Sequence, residues 1–311
     1  MNQSWKNTAA RFLTAQTISL FGSSLVQYAI VWYITLSTSS GRMLTISTVC
    51  GFAPQIAISL FAGVWIDRYD RKSLIMLSDT VIALSTLILA IAFLSGHRNI
   101  WLLFTVLMVR SAGTGIQTPA VNAVIPQIVP QKHLMQVNGI QNTITSLIMF
   151  LSPAVSGAIL SVSTLETTLF IDVFTALIGV GITSALTIPG YRKDMLAGSD
   201  NAGRKDGLKS RDNIKESSGI LSMKQGFNYL KTDSFVRHLL LFQIAVLFLI
   251  SPSAFLTPLM VSRTFGPEVW RLTASEMTYS MGSVLGGILI TSWGGFKKRL
   301  KTTVLGGWLY G

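Results

Sequence analysis

The chain has 311 residues and a net charge of +12; 50% of its residues are hydrophobic and only 12% are charged. A soluble domain carries about a quarter charged residues, so this composition, with a mean hydropathy of +0.52, excludes an ordinary soluble protein and points to lipid surroundings. The single cysteine, Cys50, cannot form an intrachain disulfide. The histidines (His97, His133 and His238) have no metal-ligand spacing, and neither metal nor cofactor is expected.

Long runs without Asp, Glu, Lys or Arg define the elements. About 20 apolar residues cross the hydrocarbon core as a helix. Joined with their apolar neighbours across Asp79, Arg110 and Asp172, the runs give eight spans of that length, near 12–36, 43–65, 74–96, 99–121, 136–161, 168–188, 239–261 and 274–295, and another starts at Thr302. Their continuous apolar character predicts helices, since a barrel strand would alternate. The first run is too long for a signal peptide and is read as the first membrane helix. The predicted fold is an all-α polytopic membrane protein.

The basic residues divide unevenly among the connections. Twenty of the 25 Lys and Arg precede span one, fall in alternate connections or follow span eight, with ten of them in 192–237. The other connections hold only Arg42, Arg98, Arg263 and Arg271, and Arg110 lies inside span four. This is the positive-inside bias. It predicts a multi-pass protein of the cell (inner) membrane with a cytoplasmic N-terminus. Charges that alternate with spans do not make a nucleic-acid surface, so no nucleic-acid partner is expected.

Three parts follow: a six-helix part at 1–190, a cytoplasmic linker at 191–235 and a second part at 236–311. The linker begins polar and mixed in charge. Its later portion places Ile220, Met223, Phe227 and Leu230 at helical spacing, which suits either a helix on the membrane surface or a solvated linker helix. An offset of 227 sets Arg71 and Lys72 on Lys298 and Arg299 and carries Phe12 onto Leu239, as in a transporter of two six-helix halves. On that layout the chain holds eight complete transmembrane helices and the start of a ninth out of twelve, and about four helices are missing.

The connection between spans two and three reads GVWIDRYDRK (63–72), with five charges in its last six residues. Arg71 and Lys72 suit an anionic inner leaflet, Gly63 would let span two pack closely against a neighbour, and Asp67 and Asp70 suit exposed helix N-termini. The spacing of Gly63, Asp67, Arg68, Arg71 and Lys72 resembles the signature loop of the major facilitator superfamily. That resemblance implies a major-facilitator-type bundle and a cytoplasmic latch, in which Asp67 and the basic residues hold the halves together when the pathway faces outward. In span four, Arg110 stands near mid-membrane, where a lone charge costs about 2.5–3.5 kcal/mol on insertion scales. Arg110, Gly113 and Gly115 resemble the pattern of the family's drug–proton antiporters, which implies a coupling or substrate-path role; a structural arginine bonding neighbouring carbonyls is the other reading. In span five, Gly139, Pro153 and Gly157 match the family's antiporter motif, while Ile148, Ser152 and Ser156 depart from it. Asp79 and Asp172 lie inside spans three and six and suit either proton exchange or helix packing. Span one has no acid; its Gln16, Gln27, Tyr28 and Trp32 suit a drug path or a core.

MVRSAGTGIQTPAVNAVIPQIVP, IDRYDRK, FIDVFTAL and FLTPLMV together resemble the macrolide-efflux group of drug–proton antiporters. The resemblance implies a monomeric exporter of small hydrophobic substrates, macrolide-like compounds first, driven by protons and working by alternating access. Export of a native metabolite such as a siderophore, or a fragment without transport, are the rival readings. No paired acids, Ser–His pair or metal ligands converge within the spans, so an enzyme is not expected.

Overall fold

A computed structural model describes residues 4–188 and 234–293. Apart from a 3₁₀ turn at Gln131–His133, its regular elements are α-helices: α1 (Ser4–Thr38), α2 (Gly41–Arg68), α3 (Arg71–Leu94), α4 (Ile100–Ile128), α5 (Leu134–Val162), α6 (Leu165–Ala185), α7 (Ser234–Phe265) and α8 (Val269–Trp293). Among the described residues, seven helices, α1 to α7, are long and apolar enough to cross a membrane. α8 has 25 residues and carries Arg271 and Glu276 in its first turns. Residues 189–233, with the candidate surface helix at 220–230, lie outside the described residues, as does the run from Thr302.

α1 and α4 outrun their expected spans, and burial explains both. α1 starts at Ser4, before the expected residue 12, because Ala9 and Phe12 are buried in the core and Trp5 stacks on His133 with ring centroids 4.9 Å apart. α4 continues past residue 121, through Pro119 and Pro126, because Val124, Ile125 and Ile128 are buried there. Local chemistry sets the helix ends. Asp70 caps α3, accepting from the Ser73 backbone N–H at 3.0 Å. Gly96 closes α3 at φ +84°, a conformation that suits glycine; its N–H donates to the Phe93 carbonyl and that of His97 to the Ala92 carbonyl.

The chain divides into two compact units, one of 1–189 with 255–293 and one of 190–254 with 294–311. In the smaller unit, the first part of α7 exposes Leu241, Ile244, Leu247, Phe248 and Leu249. In the larger unit, α1 packs on α5 and α6, α2 on α4, α3 on α4 and α6, and α5 on α8. Two apolar clusters fill its first six helices. One joins Phe12, Ile66, Ile75, Val124, Val137 and Leu186. The other joins Ile30, Ile34, Phe93, Leu103, Leu107 and Leu169. Along α1, α3, α4 and α6 these clusters occupy opposite ends, and the middle of each helix lies between them.

Candidate functional site

A set of polar side chains lies in that middle band. α1 contributes Gln16, Ser19 and Ser23, α3 Asp79 and Thr86, α4 Arg110 and Gln117, and α6 Asp172. A seven-residue step separates Asp79 from Thr86 and Arg110 from Gln117. Two turns of helix rise about 10.5 Å, so the band has two levels.

At one level, Arg110 donates through Nη1 to Asp172 Oδ2 and to Thr86 Oγ1. Its Nη2 donates to the Ser23 carbonyl at 3.0 Å. Asp172 Oδ1 accepts from Ser23 Oγ at 3.1 Å, and Thr86 Oγ1 stands 3.1 Å from Asp172 Oδ2. Arg110 is 5% exposed and Asp172 fully buried. A buried ion pair does not by itself stabilise a fold, but removing either partner strands the other. Arg110 thus bonds both a carboxylate on α6 and a backbone carbonyl on α1.

At the other level, Asp79 is 2% exposed. Its Oδ1 accepts from Ser19 Oγ at 2.7 Å and from Gln117 Nε2 at 2.7 Å. Its Oδ2 has no hydrogen-bond partner among the described residues. Span one, which lacks an acid, thus supplies hydroxyl donors to both carboxylates. Gln16 and Trp32 are buried rather than open to a path.

Small residues bring the helices this close. A Cβ at Gly22 would run into Thr175 of α6, and one at Gly179 would stand 3.1 Å from the Ala15 carbonyl of α1. On α4, a Cβ at Gly113 would stand 2.7 Å from the Ile82 side chain, and one at Gly115 would stand 2.8 Å from the Gln55 carbonyl of α2. Ser111 Oγ accepts the Gln55 N–H at 3.0 Å beside that contact.

The α2–α3 connection reaches into the same bundle. Arg71 Nη1 donates to the Ala123 carbonyl of α4 at 2.7 Å, and Lys72 Nζ donates to the Ser184 and Leu186 carbonyls at the end of α6, at 2.7 Å each. Arg68 is exposed. The Asp67 side chain lies outside the described residues. Gly63 is exposed, and a Cβ there would meet nothing within 4 Å among the described residues. The α5 motif divides similarly. Gly139 faces open space, whereas a Cβ at Gly157 would strike Thr273 of α8. Pro153 is buried on the same face as Ser152 and Ser156, and Ser156 Oγ donates to the Leu25 carbonyl of α1 at 3.1 Å. The serines that depart from the motif keep its compact surface.

The model of the family described as the Major Facilitator Superfamily matches residues 12–311. The chain belongs to the Major Facilitator Superfamily. It is a multi-pass membrane protein of a transporter family, not of an enzyme family. Among curated relatives, macrolide efflux protein A of Streptococcus pyogenes is 29% identical over 296 residues, covering 95% of this chain and 69% of the relative. Macrolide efflux protein A of Enterococcus faecalis is 28% identical over 261 residues, covering 84% of this chain and 75% of the relative. Among solved structures, an inward-facing, unoccupied bacterial homologue of the human lysosomal transporter Spinster aligns with a TM-score of 0.64 at 14% identity. That alignment covers 94% of this chain and 64% of the Spinster homologue's chain, and it shows a shared fold.

Proposed function

We propose that the protein is a secondary active exporter of hydrophobic, macrolide-like compounds, driven by proton influx and working by alternating access. The observation that carries the reading is the charged layer of Asp79, Arg110 and Asp172, buried in the middle of an apolar transporter bundle. Ionisable groups inside membrane helices are costly and mark ion or substrate pathways. The likeness to macrolide efflux protein A supports the substrate class.

The positive-inside bias supports a cytoplasmic N-terminus in the cell membrane. In that orientation the α1–α2 and α7–α8 turns face outward. Arg263 Nη2 donates to the Ser39 carbonyl at 2.6 Å, and Trp32 packs against Val261 and Leu272. These contacts support a gate closed on the outer side. Arg68, Arg71 and Lys72, with Asp67, form the latch of the opposite state.

Cellular accumulation of a labelled macrolide tests the proposal. Cells expressing the protein are expected to hold less of it than cells with an empty vector, and a protonophore is expected to abolish the difference. Equal accumulation at confirmed expression would refute macrolide export.

A further inference from the structure

We propose that Asp79 is the carboxyl group that binds and releases the proton, and that the Arg110–Asp172 pair stays ionised throughout. This rests on the proton-coupled reading above and names the group that carries it.

The two buried acids differ in what compensates them. Asp172 faces the full charge of Arg110, and both its oxygens are engaged. Protonating it would leave a buried guanidinium without its counter-ion. Among the described residues, Asp79 is hydrogen-bonded by two neutral donors, Ser19 from α1 and Gln117 from α4, and both serve Oδ1. Oδ2 is left for a proton. On α6 the neighbouring level presents Gly179, which abuts Ser19. None of these groups titrates. Along these helices the next charges are Arg110 and Asp172, one level away on one side, and Lys72 and Arg71 of α3, seven and eight residues away on the other. Gln16, on the same face of α1 one turn nearer its N-terminus, is buried with neither amide atom hydrogen-bonded among the described residues. It extends the polar face toward the end that holds the α2–α3 connection.

The step balances simply. A proton from the aqueous phase adds to Oδ2, and the carboxylate becomes a neutral acid that still accepts from Ser19 and Gln117 through Oδ1. Release to the other side restores the anion. The charge of this level alternates between −1 and 0, and with it the pull on Ser19 of α1 and Gln117 of α4. That ties the protonation state to how tightly α1 and α4 are held on α3.

pH-difference infrared spectroscopy on the purified, lipid-reconstituted protein tests this without substrate. The wild type is expected to show a protonated-carboxyl band that Asp79→Asn removes, that Asp79→Glu shifts, and that Asp172→Asn leaves. Gln117→Leu keeps Asp79 but deletes a donor to its charged form, so the band's midpoint is expected to move to higher pH. A band that survives Asp79→Asn, disappears in Asp172→Asn or ignores Gln117→Leu would overturn the assignment, as would its absence from the wild type. Because the readout needs no transport, a protein that titrates at Asp79 but moves no drug would refute the export reading alone.

Discussion

Arg110 holds three helices through one side chain, because its guanidinium bonds Asp172 on α6, Thr86 on α3 and the Ser23 carbonyl on α1. Breaking a buried pair from one side costs about 3–5 kcal/mol. Arg110→Ala should therefore lower the denaturation temperature in detergent sharply and abolish transport. Adding Asp172→Asn should recover part of the stability, since no charge is then stranded; a double variant no more stable than Arg110→Ala would contradict the pairing. The three charged residues were legible in the sequence because an ion in an apolar run stands out. Their pairing was not, because Arg110 and Asp172 are 62 residues apart and only helix packing brings them together. Ser19, Ser23 and Thr86 were missed because hydroxyl residues are common in membrane helices, where their bonds are worth only about 1 kcal/mol. The seven-residue step from Asp79 to Thr86, repeated from Arg110 to Gln117, was a readable sign that polar groups share a face on each helix.

At the scale of elements, close approach discriminates between glycines that look alike in sequence. Gly115→Val would force a side chain onto the Gln55 backbone, which cannot move without parting α2 from α4. That variant is expected to be lost as folded protein by size-exclusion chromatography. Gly63→Ala and Gly139→Ala face open space here and are expected to cause no loss, alanine being favoured over glycine inside a helix by about 0.5–1 kcal/mol. A severe loss at Gly139 with none at Gly115 would show that helix contacts are misassigned. The runs at 43–65 and 74–96 matched their helices to within two or three residues at each end, because the charges at 67–72 separate them. The ends of α1 and α4 were less legible, since burial of Phe12 and Ile125 decides them rather than local charge. On α5, Pro153 and Gly157 are buried and Gly139 is exposed, and which glycine touches a neighbour depends on α8.

For the whole molecule, the proposed alternating access predicts two states that differ in which end of the bundle is closed, with the Arg263–Ser39 contact assigned to one and the α2–α3 latch to the other. Asp67→Asn is expected to leave drug binding within about twofold and to slow turnover at least tenfold, a difference of about 1.4 kcal/mol in the balance of states. Binding by fluorescence and turnover in vesicles separate the two, and unchanged turnover would remove the latch. The central claim is that proton influx drives export through this bundle. Its most direct test is uptake of a labelled macrolide by inside-out vesicles under an imposed pH gradient, acidic inside. The account predicts uptake that collapses with the gradient and is abolished in Asp79→Asn; uptake indifferent to the gradient would contradict it.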